Sequence, residues 1–379
     1  MLFIRNIVLI FMIFLFANCD NTKQKQNIEQ KTSNQIKYSS LFDINKFENY
    51  KKISIFDPWN KDKVLKTYYL VPNYISDLKN IPNDGIIVRT PVKNVIALSS
   101  TQIGILNSLK QINSIKAVAE KKLIYNQQIR DLIDEGKIKI VHESMSLDFE
   151  KVINMKPDVV FATGWNTVDS KFLRLEEAGI PTAYIYEWQE NSPLARAEWL
   201  KFIAAFFDDD KKADSIFNEI DKNYKQLLEL TKSIAEKPSV LHGSMIKDTW
   251  FVPGGKSYVA NLYNQAAANY IWKDNDDKAS LSLSFEVVLS KAANADFWIF
   301  STYAKNKQEF ENSNERYKLF AAFINNKLYS NIKRLNIDGA NDYWESGIVK
   351  PDIILKDVIK ILHPKVLKEH QLFYFEHFN

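Results

Sequence analysis

Residues 210–237 read DKKADSIFNEIDKNYKQLLELTKSIAEK, and this stretch decides the architecture. Apolar side chains fall at Ala213, Ile216, Phe217, Ile220, Tyr224, Leu227, Leu228 and Ile234, with Thr231 filling the one gap. Spacings of three and four put them on one face of an α-helix. No Gly or Pro interrupts the run, and Pro238 follows as a stop signal. A helix over the whole stretch would be roughly 40 Å long at 1.5 Å per residue, more than one small lobe requires. The chain on either side shows a similar pattern. The reading is a rigid strut between two lobes with a ligand held between them.

The 379 residues, 46% hydrophobic and 13% aromatic, suffice for two domains and a sizeable core. Net charge is only +4, and the basic residues, mostly Lys, are interleaved with Asp and Glu. No basic block or nucleic-acid motif occurs, so the charges read as a solvated surface and no nucleic-acid partner is expected.

Arg5 precedes an apolar run over residues 7–17 that ends at Asn18-Cys19. The run is too short to span a bilayer as a helix but fits the hydrophobic part of a signal peptide. Cys19 is the only cysteine, and the polar tract DNTKQKQNIEQKTSNQ follows it. This arrangement resembles a bacterial lipoprotein signal, in which the cysteine is lipidated and becomes the first residue of the mature protein. Phe16-Ala17-Asn18 departs from the usual form, which has Leu first and Gly, Ala or Ser last. An ordinary secretory signal with an incidental cysteine is the alternative. The expected layout is a signal peptide over 1–18 and a disordered tether over 19–37. The protein would then be lipid-anchored to a bacterial membrane and face the periplasm.

Residues 38–89 alternate short strand-like runs with turns such as Asp57-Pro58, Pro72-Asn73 and Asn83-Asp84-Gly85, as antiparallel strands and a hairpin would. After Pro91 the rhythm becomes strand–helix alternation, with buried-type strands near 95–98, 138–141, 159–162 and 182–186. That implies a mostly parallel sheet covered on both faces. Ser192-Pro193 can open a helix in the N-cap and N1 positions. Beyond the strut, strands near 239–241, 250–252 and 297–301 alternate with helices again. The fold class is therefore α/β: two Rossmann-like lobes of mostly parallel sheets, over 38–192 and 238–379, bridged by a helical linker over 193–237.

Two stretches match across the strut. Phe149-Glu150-Lys151-Val152-Ile153 is followed by Pro157-Asp158-Val159-Val160-Phe161-Ala162-Thr163, and Phe285-Glu286-Val287-Val288-Leu289 by Asp296-Phe297-Trp298-Ile299-Phe300-Ser301-Thr302. In each, a Phe-Glu pair starts a short helix and an Asp opens a buried strand that ends in Thr. A glutamate near a helix N-terminus favours the dipole, so capping is the plain explanation of Glu150 and Glu286.

With Pro91-Val92-Lys93-Asn94-Val95-Ile96-Ala97-Leu98-Ser99, Leu283-Ser284-Phe285-Glu286, Asp342-Tyr343-Trp344-Glu345 and Lys350-Pro351-Asp352, the chain from about Pro91 onward resembles a known family. It is similar to the substrate-binding proteins of ABC importers for iron complexes and cobalamin, the class III periplasmic-binding-protein type. The resemblance implies a binder with no catalysis and no cofactor of its own, acting as a monomer with an ABC permease and ATPase complex. It also implies that Glu150 and Glu286 dock on basic residues of the permease. Such paired charges orient an encounter without tight adhesion.

Ligands of open α/β sheets sit beyond the carboxyl ends of the strands. Those ends carry Ser99, Ser100 and Thr101, then Gly164-Trp165-Asn166 and Tyr186-Glu187-Trp188. In the second lobe they carry His242-Gly243-Ser244 and Thr302-Tyr303, with Trp250, Gly254 and Gly255 expected nearby and Trp344 in a late loop. Aromatic walls suit a bulky, partly apolar ligand with polar edges, here a metal chelate of the iron–siderophore type. Trp199, Trp272 and Trp298 read as core. None of the seven arginines clearly falls in these loops, which favours a nearly neutral chelate such as a hydroxamate siderophore or cobalamin. Haem stays open, and lysines contributed by folding would change the balance. An enzyme is disfavoured, since no nucleophile elbow, P-loop or GxGxxG occurs. A direct metal-ion binder would need clustered ligands, and the five histidines are scattered.

Overall fold

The computed structural model describes residues 32–33, 36–60, 63–143, 146–165, 170–300, 302, 304 and 306–379. The expected signal peptide, Cys19 and Tyr303 lie outside them. Within the span read as a tether, Thr32–Ser33 pair antiparallel with Asn45 and Lys46, and the Lys37 amide donates to the Glu198 carboxylate. Part of that span is thus paired, because polar backbone can join a sheet edge without apolar side chains.

The N-terminal sheet runs in chain order through Thr32–Ser33, Phe42–Lys46, Lys51–Phe56, Val64–Pro72 and Ile86–Thr90. Its pairs are antiparallel except the last, which is parallel. The Asn83-Asp84-Gly85 turn therefore does not close a hairpin. Residues 73–85 form the longer crossover that a parallel pair needs. Ile53, Tyr68 and Val88 of this sheet share one core with Val95 and Phe161 of the first lobe and with Trp199, Phe202 and Phe206. The added sheet is thus part of the first lobe, not a separate unit.

The first lobe's sheet has the order Thr182–Ile185, Val159–Thr163, Val95–Ala97, Ile115–Val118, Lys139–Ile140, all parallel. Val95, Ala97, Val159 and Phe161 face one core, while Ile96 and Val160 face another with Val152 and Leu175. Burial on both faces explains the unbroken apolar runs. The second lobe's sheet has the order Asn269–Tyr270, Ser239–His242, Phe297–Phe300, Leu328–Ser330, Glu376–His377, parallel except for its last strand. A three-stranded antiparallel sheet, Met245–Ile246, Thr249–Pro253 and Ser280–Leu283, lies in the same lobe.

The internal repeat is a repeat of construction. In each lobe the strand after the Phe-Glu helix lies directly beside that lobe's first strand. The repeated aspartates tie those two strands together at their start. Asp158 accepts from the amides of Lys93 at 2.7 Å and Asn94 at 2.8 Å, and Asp296 accepts from the amide of Ser239 at 2.7 Å.

The strut helix spans Asp210–Lys232, 23 residues, or about 35 Å. It stops short of Pro238 because the chain past Thr231 has only Ile234 half-buried, too little apolar contact to hold another turn. Ala213 and Phe217 belong to the first lobe's core, Ile220, Tyr224 and Leu227 to the second's, and Ile216 packs against both. The preceding linker helix, Pro193–Ala205, has Ser192 as N-cap and Pro193 in its first turn, as read from sequence.

One segment crosses back. The helical turns Asp342–Glu345 and Ser346–Val349, from the second half of the chain, pack on helix Ser100–Ser108 of the first lobe. Ile348 and Val349 sit in the first lobe's core, so the second lobe is not simply residues 238–379. The approach is possible only because Gly104 lacks a Cβ, which would run into the Glu345 carbonyl oxygen. Gly104→Ala should therefore destabilise the protein by roughly 1–3 kcal/mol. A urea unfolding midpoint equal to that of the wild type would show that helix and turn do not pack as described.

Candidate functional site: the junction of the two lobes

At the carboxyl end of Val95–Ala97, Ser99 caps helix Ser100–Ser108. Its hydroxyl accepts from the Thr101 amide at 3.2 Å and lies 2.8 Å from the Thr101 hydroxyl, while the Gln102 side chain accepts from the Ser99 amide at 3.1 Å. The Ser100 hydroxyl donates to the Trp344 carbonyl at 3.4 Å. These three hydroxyls fasten the helix start and the returning segment, on which Trp344 is 41% exposed.

At the next strand ends, Trp165 is 65% exposed and its ring lies 5.3 Å from that of half-buried Trp188. The Trp188 indole N–H donates to the Gly164 carbonyl at 2.8 Å. Tyr186, expected as a ligand contact, is instead buried. Its ring fills the space where a Cβ at Gly164 would be, so it supports the loop that carries Trp165.

The second lobe departs further from the sequence reading. Trp250 is fully buried, stacked on Trp298 with 5.3 Å between ring centroids, and its indole donates to the His242 carbonyl at 3.0 Å. Alternation along Thr249–Pro253 turns Trp250 inward and Phe251 outward, so Trp250 is core and offers no face to a ligand. Gly254 and Gly255 are needed for close packing, since a Cβ on either would strike backbone oxygens between Trp272 and Ala279. Gly255 also borders an open pocket of about 590 Å³, together with Asn191, Lys256, Lys273 and Lys278. Trp199, Trp272 and Trp298 are buried, as read.

Arginine does reach the junction. Arg196 on the linker helix pairs with Glu187 of the first lobe at 3.4 Å and lies over the Tyr258 ring of the second at 4.2 Å. Burial pushes its guanidinium down, but Tyr258, Glu187 and Tyr343 outweigh this and hold it above the usual arginine range. No sequence signal marks Arg196, because its partners Glu187 and Tyr258 lie outside its helix. Histidines contribute no metal centre. Burial pushes His242 down to about 4, with Tyr263 at 2.6 Å, and no three His, Cys, Asp or Glu converge among the described residues.

Glu150 and Glu286 are both exposed in the first turns of helices Phe149–Met155 and Phe285–Ala292. The caps are made by other residues: Asp148 accepts from the Lys151 amide at 2.9 Å, and Ser284 from the Val287 amide at 3.3 Å. The N-cap positions themselves are thus filled by Asp148 and Ser284, and the glutamates add charge to each first turn. The Glu286 carboxyl is held below its ordinary range by its own amide, by the Ser284 hydroxyl and by Arg316 at 3.1 Å.

The profile of the periplasmic binding protein family matches residues 95–334, which contain both lobes' first strands and the strut. The chain belongs to this family. An uncharacterized lipoprotein of Methanocaldococcus jannaschii is 28% identical over 300 residues, 77% of this chain and 70% of the relative. The structure described as a possible iron-binding (periplasmic solute-binding) protein from Staphylococcus epidermidis superposes with a TM-score of 0.56 at 20% identity, over 72% of this chain and 100% of that one. The vitamin B12 binding protein of Vibrio cholerae gives 0.54 at 14% identity, over 74% and 99%. The periplasmic binding protein here thus shares its fold with structures of the two-lobe type, and its N-terminal sheet precedes the matched span.

The lobes also meet through a titratable group. Glu345 accepts from the amides of Tyr125 at 2.7 Å and Asn126 at 3.0 Å. Burial, with Asp342 adding, raises its carboxyl from 4.5 to about 7, although the two amides pull the other way. The folded state holds this proton more tightly than the unfolded chain. Its contribution is complete below about pH 4.5 and is lost as pH rises to about 7, by at most about 3 kcal/mol. Glu345→Gln should flatten the fall in melting temperature between pH 5 and 8. An unchanged slope in the variant would assign the pH dependence elsewhere.

Proposed function

We propose that this periplasmic binding protein captures a metal chelate of the iron–siderophore type between its lobes and delivers it to an ABC importer. The observation that carries this reading is the set of indoles at the carboxyl ends of the first lobe's strands and on the returning segment: exposed Trp165 and Trp344, with half-buried Trp188 beside Trp165. Aromatic faces held on a rigid frame suit a bulky ligand with an apolar periphery. Folding also brings Lys256, Lys273 and Lys278 around one pocket, beside Asp274. This favours a chelate with anionic groups over the nearly neutral one expected from the loops. Cobalamin or haem is the second reading, supported by the open face of Trp165 and by the vitamin B12 binding protein among structures of the same fold.

The protein acts as a monomer, and Cys19 anchors it by lipid to a bacterial membrane with the lobes in the periplasm. The lipoprotein name of its relative supports the lipid anchor. Among the described residues no helix is long and apolar enough to cross a membrane.

Titration of intrinsic tryptophan fluorescence with ferric catecholate, ferric hydroxamate, cobalamin and haemin tests the ligand class. Saturable quenching by a ferric chelate is expected, and no quenching by any of the four would sink the proposal. Docking has its own test. Glu150→Lys combined with Glu286→Lys should abolish uptake through the importer while chelate affinity stays within about twofold of wild type, as expected for exposed charges that meet the permease and not the ligand. Uptake that survives the double reversal rules out these glutamates as docking points.

A further inference from the structure

Trp59 has no place in a reading limited to the family-matched lobes. It sits in the loop between strands Lys51–Phe56 and Val64–Pro72 of the N-terminal sheet, before the span that the family profile covers. The described residues around it are hydrogen-bonded to one another. The buried Asp57 carboxylate accepts from the Trp59 amide at 2.9 Å and the Asn60 amide at 3.2 Å. The Asp57 amide donates to the Lys63 carbonyl at 2.8 Å, and the Lys63 amide to the Asn60 carbonyl at 3.0 Å.

Trp59 is nevertheless 52% exposed. Its ring meets Tyr186 nearly at right angles, with centroids 6.2 Å apart. Tyr186 is the ring that underlies Gly164, and Gly164 binds the Trp188 indole and precedes Trp165. The Trp59 ring and Gly164, which precedes Trp165 and binds the Trp188 indole, thus both lie against one buried tyrosine. Tyr186 fixes the added sheet's tip to the strand ends where the ligand is expected.

We infer that the N-terminal sheet completes the ligand site, with Trp59 as a further aromatic wall that stacks on a flat conjugated group of the ligand, alongside Trp165 and Trp188. This rests on the cleft reading proposed above and adds that an element outside the matched lobes sets specificity. Conjugated donors such as catecholate rings or a tetrapyrrole can use such a wall, and an aliphatic hydroxamate gains little from it.

The test compares ferric tris-catecholate and haemin with an aliphatic ferric trihydroxamate, each titrated against the full-length protein. Trp59→Ser should weaken the tightest conjugated probe about 5- to 10-fold, the scale of one lost ring contact, and leave the trihydroxamate within about twofold. Trp59→Phe should recover most of the loss, and the melting temperature should not move. Wild-type affinity of Trp59→Ser for both conjugated probes overturns the inference. If Trp165→Ser or Trp188→Ser weakens binding and Trp59→Ser does not, only the role of the added sheet falls. If all three bind like the wild type, or the wild type binds no probe, the cleft reading falls with it.

Discussion

The structure depends on one shared stripe of apolar contacts along the strut. The N-terminal half of the helix is buried in one lobe and the C-terminal half in the other, with Ile216 touching both cores. A connection of this kind cannot bend without opening both cores, so the lobes are held by packing and not by a flexible peptide. Neither half of the stripe could be removed without exposing apolar surface of a whole domain.

Buried charge reinforces the same frame. Glu198 of the linker helix is fully buried and accepts from the amides of Lys37, Tyr38 and Ser39 and from the Lys201 ammonium. Glu190 is raised by burial, and it takes hydrogen bonds from the Ser39 hydroxyl and the Trp199 indole. Tyr38 donates to Asp221 of the strut at 2.6 Å. Each carboxylate would be costly to bury alone and is tolerated because its oxygens are occupied. Residues 37–39, the linker helix and the strut are thereby joined. Arg196 extends the theme to the second lobe, with Glu187 on one side and Tyr258 on the other.

The site is built on this frame by strand ends that face the junction. The placement of two of its indoles was legible. Trp165 and Trp188 follow buried strands directly, and a strand that ends at a sheet's carboxyl edge delivers its next residues there. The repeat was legible too, because Asp158 and Asp296 do the same work in both lobes. Trp250 misled because a short strand in a turn-rich region gives no sign of which face is inward. Arg196, the lysines around Gly255 and the contact of Trp59 with Tyr186 were not legible, since each depends on residues far apart in sequence.

By itself, the sequence determined the α/β class, the strut, the two-lobe repeat and the exposed glutamates. Each is written in local periodicity or in a short motif whose physics acts within a few residues. Only the tertiary structure decided that residues 342–349 return to the first lobe, that Trp250 is core and Trp59 is not, and that an arginine lies between the lobes. Those outcomes depend on which surfaces exclude water together, and that is a property of the assembled chain.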